Sequence, residues 1–174
     1  MIVRAFVFAL AVLMVGAAPA SARPAEVTQH LPGAVAVGAA RYSVLSLALF
    51  DAALWAETRA FSWDRPFALS LTYQRAFSAD ALTRRTMQEM ARRTSADAAA
   101  LTALRGNLGA CFADVAAGDR ITGVSLGANR ARFYLNGVRR CDLEWPGFQR
   151  AFFGIWLEGE GGARGFSARL RGQA

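Results

Sequence analysis

The stretch GDRITGVSLGANRARFYLNGVRRCDLEW, Gly118 to Trp145, holds three short runs of strand-forming residues separated by turn signals. Gly127-Ala128-Asn129 supplies the first reversal and Asn136-Gly137 the second. The second is the stronger, because Asn and Gly accept the positive φ that a tight hairpin turn demands. The segment therefore reads as an antiparallel meander, and the rest of the chain has to be placed around it.

Upstream, RYSVLSLALFDAALWAE, Arg41 to Glu57, has no Gly or Pro and is apolar at almost every position. Alternation reads it as one long central strand. One face collects Leu45, Leu47, Leu49, Ala53 and Trp55, and the other Tyr42, Val44, Ser46, Ala48, Phe50, Ala52 and Leu54. PFALSLTYQR follows as a half-buried strand with Phe67, Leu69, Leu71, Tyr73 and Arg75 on one side.

Then the period changes. Ser78 is an N-cap for a helix running to about Arg93, and Ser95 caps a second with Leu101, Leu104 and Leu108 at helical spacing and Gly109 as its stop. Pro146 opens a last helix, PGFQRAFFGIWLE. On its wheel Phe148, Ala151, Phe152, Ile155 and Trp156 form one apolar face while Phe153 and Leu157 lie nearly opposite, so burial on two sides is implied. The Gly-rich stretch from Gly159 to Gly165 reads as a loop and RLRGQA as a frayed tail. Strands, two helices, three more strands and a helix indicate an α+β domain, with helices over one face of a mostly antiparallel sheet.

The 174 residues suit one domain. Residues 1–22, MIVRAFVFALAVLMVGAAPASA, combine a lone Arg4, an apolar run from Ala5 to Ala18 and the small-residue pattern Ala20-Ser21-Ala22, the signature of a cleavable secretory signal. That leaves residues 23–174 as a single domain, periplasmic or secreted, with no membrane span after cleavage. In such a compartment Cys111 and Cys141, the only two cysteines, read as a disulfide worth about 3–4 kcal/mol on the loop-entropy model. The alternative is two unpaired buried thiols.

The net charge of +7 rests on 20 basic residues, all arginine. They are spread along the chain without clustering beside stacking aromatics, which argues against a nucleic acid partner. Gly123-Val124-Ser125-Leu126-Gly127 matches the pattern of a hydrolase nucleophile elbow, but a turn and a strand follow it instead of a helix, and the only histidine, His30, lies upstream. One histidine and two distant cysteines form no zinc constellation. The absence of lysine removes Schiff-base and phosphate-loop chemistry. Asp114 and Asp119 flank a turn and read as its organisers. Neither a cofactor nor a metal is expected.

What remains is a cavity. Ala48 and Ala52 leave space against a sheet face, and the apolar row of the second strand ends in a phenol and a guanidinium, Tyr73 and Arg75. An apolar slot with a hydroxyl and a cation at one end suits a small apolar carboxylate ligand. The competing reading makes Tyr73 ordinary core and sends Arg75 into solvent. For the last helix, packing on both sides competes with Phe153 or Trp156 lining the slot or meeting a protein partner.

The segments YSVLSLALFDAALW, PFALSLTYQR, GDRITGVSLGANRARFYLNG and FQRAFFGIWL, in that order, resemble the bacterial chalcone isomerase-like proteins over roughly Val35 to Leu170. That resemblance implies an open-faced β-sandwich, an antiparallel sheet with a layer of helices, enclosing a cleft for flavonoid-like or fatty-acid-like ligands. It sets Ser46 where the isomerases carry a threonine, which makes it the candidate catalytic residue. The isomerases' arginine, tyrosine and asparagine have no match, Phe50 replaces a tyrosine before Asp51-Ala52, and Cys141 replaces a glycine.

The functional expectation is an exported, non-catalytic domain that binds a fatty-acid-like or other apolar carboxylate, with Ser46, Tyr73, Arg75, Phe153 and Trp156 as ligand-binding candidates. The alternatives are a chalcone isomerase-type intramolecular lyase, closing a ring in a chalcone-like phenol, and a structural or protein-partner module.

Overall fold

The structure, a computed structural model, describes residues 22–173. The secretory signal read over residues 1–22 lies outside the described residues except for Ala22. The chain runs α1 (Ala25–His30), β1 (Val35–Val44), β2 (Leu47–Ala56), β3 (Phe67–Tyr73), α2 (Ala79–Ala91), α3 (Ala98–Cys111), β4 (Arg120–Ser125), β5 (Arg130–Leu135), β6 (Val138–Glu144), α4 (Phe148–Leu157) and α5 (Arg164–Leu170). Each strand pairs antiparallel with its neighbour in sequence, giving one sheet in the order β1-β2-β3-β4-β5-β6.

The segment Arg41–Glu57 is two strands and not one. Val44 pairs with Leu47 across a two-residue turn in which Leu45 and Ser46 hold φ of 49° and 66°. Two positive φ values are what a tight hairpin needs, and Asn-Gly usually supplies them. Here Leu and Ser accept a conformation that costs an L-residue about 1–2 kcal/mol, and an unbroken apolar run hides the turn. At the other hairpin Asn136 and Gly137 behave as their types suggest, with φ of 50° and 84°.

The remaining corrections are local. Asp97, not Ser95, caps α3, its carboxylate accepting from the Ala100 amide at 2.8 Å. That helix passes through Gly109 to Cys111, since glycine ends a helix only when it turns left-handed. The C-terminal segment is no frayed tail. Phe166 and Leu170, four apart, bury one face of α5. Its backbone sits so close to β1 that a Cβ on Gly38 would lie 2.0 Å from the Arg169 carbonyl oxygen.

Strand alternation sends Ala52, Leu54, Phe67, Leu69, Leu71, Tyr73 and Ile121 to one face, where they form the main core with residues of α2, α3, α4 and α5. The other face carries α1, which the sequence pattern did not reveal. Val27 and Leu31 pack there on Trp55, Ala68, Val124 and Tyr134. Glu26 is buried beside them, accepting from the Thr122 hydroxyl at 2.7 Å and pairing with Arg120 at 3.1 Å. Cys111 and Cys141 form a disulfide that ties the end of α3 to β6.

Candidate ligand cleft

A cleft of about 650 Å³ opens between the helix-bearing face of the sheet and α2, α4 and α5. Its floor comes from alternate strand positions, Tyr42, Phe50, Leu71, Tyr73 and Ile121. The α2 wall supplies Leu82, Arg85, Thr86 and Glu89, and α4 supplies Phe152, Ile155 and Trp156. Phe166 of α5 closes one side. Floor and lid interlock through their rings: Tyr42 stacks on Phe50 at 5.2 Å, and Phe166 meets both edge-on at 5.4 and 6.1 Å. Such edge and offset contacts hold ring positions without polar partners, which leaves an apolar wall of fixed shape.

The polar groups are few and uneven in their pairing. Tyr73 is buried, and burial pushes its phenol well above the ordinary tyrosine range, so the hydroxyl stays protonated and can donate. No hydrogen-bond partner meets that hydroxyl among the described residues. Three guanidinium groups line the same cleft: Arg85, Arg92 and Arg93. Glu89 pairs with Arg85 at 2.8 Å and with Arg92 at 3.4 Å. Arg93, half-buried, meets only a backbone acceptor, the Glu158 carbonyl at 3.4 Å, and has no carboxylate partner among the described residues.

The residues expected at the site separate. Tyr73 and Trp156 line the cleft. Phe153 does not; it is fully buried, edge-on to Phe67 at 5.0 Å. Ser46 stands at the exposed tip of the β1–β2 turn, and Arg75 lies in an exposed bend past the end of β3, outside the lining. The sequence reading carried the alternation of β3 two residues too far. Nothing local in the sequence marks Arg93, just past the end of α2, as the arginine that turns into the cleft. Ser125, the serine of the hydrolase-like pattern, is buried and accepts from the Gln149 amide at 2.8 Å. Asp119 organises its turn by accepting from the Ala116 amide at 2.7 Å.

No family model and no curated protein matches this chain by sequence. Among solved structures, the chain is similar to a fatty-acid binding protein of Arabidopsis thaliana, with a TM-score of 0.62 over 80% of this chain and 87% of that one, at 8% identity. The fold is chalcone isomerase-like. At that identity the likeness carries the architecture alone, an open antiparallel sheet layered with helices. No helix among the described residues is long and apolar enough to cross a membrane.

Proposed function

We propose that this protein is a member of the bacterial chalcone isomerase-like family and acts as an exported, non-catalytic carrier of a fatty-acid-like carboxylate, held in the cleft with its chain against the aromatic floor. The observation that carries the reading is the cleft itself. About 650 Å³ walled by Phe, Tyr, Leu and Ile side chains is the size of a small-molecule site, and its polar groups are the kind that fix one end of an amphiphile. Arg93 supplies the cation, because Arg85 and Arg92 already share Glu89. A half-buried guanidinium with no carboxylate partner among the described residues favours a ligand that brings one. Tyr73 offers a neutral donor, and Trp156 supplies apolar wall. Arg75, exposed outside the lining, has no part in holding the head group, and Phe153 serves the core.

The structural neighbour is itself named for fatty-acid binding, which agrees with this reading. An export signal and a disulfide-permissive compartment fit the same picture, since Cys111 and Cys141 are bonded. Native mass spectrometry of the mature protein, followed by organic extraction, tests the proposal. A stoichiometric acyl acid that disappears in Arg93→Gln supports it. A protein that arrives empty and takes up no added fatty acid overturns it.

A further inference from the structure

Five large apolar side chains are exposed among the described residues, and four of them, Val44, Leu45, Leu47 and Val138, lie at one end of the sheet. The register places them there. The β1–β2 turn follows Val44, the β5–β6 turn precedes Val138, and β3 runs toward the same end, since Phe50 pairs with Tyr73 and Ile121 with Leu135. Four strand spacings separate the two hairpins, about 19 Å. Leu45 is 98% exposed and left-handed at once. A chain that needed only a turn would place Asn or Gly there, as the β5–β6 hairpin does. The strained residue is kept apolar and pushed into solvent.

Charge and continuity point the same way. Asp51 is paired with Arg41 and Asp142 with Arg132 and Arg139, while Asp119, just before β4, accepts only from the neutral Asn136 amide and the Ala116 backbone. Arg75 and Arg140 are exposed there, with no carboxylate partner among the described residues. Leu49 and Phe50, just beyond Leu47-Ala48 on the same strand, line the cleft, so the apolar tip runs toward the site. Two apolar prongs, with Arg75 between them and Arg140 on the β6 edge beside the second, match an anionic bilayer, whose head groups take arginine and whose acyl region takes Leu and Val.

We infer that this end of the sheet is a membrane foot, through which the protein docks reversibly on anionic lipid with the cleft's β2 wall beside the bilayer. The inference rests on the carrier reading only for what the foot would collect or deliver; docking stands on the tip itself.

The test is co-sedimentation of the mature protein with vesicles of phosphatidylglycerol and phosphatidylcholine, against phosphatidylcholine alone. Binding is expected to the anionic vesicles, to weaken with added salt, and to fall at least about ten-fold in Leu45→Asn, a substitution that suits the left-handed turn and so leaves the fold intact. Arg75→Gln is expected to weaken it about five-fold, the share of one basic residue at an anionic surface. Val138→Thr reports on the second prong and is expected to weaken binding. Equal binding of wild type and Leu45→Asn overturns the inference. So does an absence of vesicle binding, or a dimer that Leu45→Asn dissociates, which would give the patch to a second copy of the chain. Uptake of soluble fatty acid, measured on the same variants, separates the two proposals: it is expected to persist in Leu45→Asn, and its absence in wild type would remove the carrier reading without touching the foot.

Discussion

The ring of Phe153 lies directly over Gly123: a Cβ on that glycine would stand 3.1 Å from the Phe153 Cε1 and 3.2 Å from that of Phe133. A strand glycine here makes room for an aromatic side chain of α4 to reach the sheet. The pair explains why the apolar helix is buried on two sides. Phe153 anchors α4 to the strands, and this leaves Phe152, Ile155 and Trp156 to face the cleft.

Gly123→Ala should therefore cost about 1–3 kcal/mol by overpacking, and Phe153→Ala about 3–5 kcal/mol by opening a void. Urea denaturation checks both. Fatty-acid affinity of the protein that remains folded should change little in Gly123→Ala, whereas Trp156→Ala should weaken binding with a smaller loss of stability. Reversed effects would place Phe153 in the ligand site.

Tyr73→Phe should leave stability nearly unchanged, since the hydroxyl makes no hydrogen bond among the described residues and lines the cleft. Affinity for a carboxylate ligand should fall by about 1 kcal/mol, roughly five-fold. Isothermal titration and thermal melting of the same two proteins decide between a ligand-facing phenol and a merely structural one.

The disulfide closes a separation of 30 residues between α3 and β6. Replacing both cysteines by serine should cost about 3 kcal/mol, and lower Tm by about 6–12 °C for a domain of this size. An unchanged Tm would mean that the α3–β6 contact holds itself.

Asp142 accepts from Arg132 at 2.5 and 2.6 Å and from Arg139 at 2.8 Å, and these bonds, Arg132 first, hold its carboxyl down at about 2. An unfolded aspartate titrates near 3.9, so the stability contributed is fully present above about pH 4 and is lost as pH falls through 2. The group is partly solvated, so the effect is modest. Urea midpoints at about pH 6 and about pH 2.5 should differ less in Asp142→Asn than in wild type.

Much of the architecture was legible in particular residues. Asn136-Gly137 announced its hairpin, Ser78 its helix, and the alternation of Phe67, Leu69, Leu71 and Tyr73 the floor of the cleft. What stayed hidden had physical causes. Leu45-Ser46 turns the chain without any turn residue, so the apolar run around it looked continuous. The short helix α1 gains its stability by docking Val27, Leu31 and Glu26 on the sheet, a tertiary contact that leaves little local pattern. α5 sat within a stretch whose glycines and arginines masked Phe166 and Leu170. The cleft's cationic lining was hidden for a related reason: Arg75 adjoins the strand in sequence but lies outside the lining, while Arg93 reaches the cleft because α2 folds back over the sheet.

The central claim, an apolar carboxylate held in the cleft by Arg93, is tested most directly by titrating a fluorescent long-chain fatty acid into the mature protein, its Arg93→Gln variant and its Arg75→Gln variant in the absence of lipid. The account predicts one-to-one binding, weakened about ten-fold by Arg93→Gln, as loss of a charge-assisted bond would give, and untouched by Arg75→Gln. An absence of binding, or binding that survives Arg93→Gln and fails in Arg75→Gln, would contradict it.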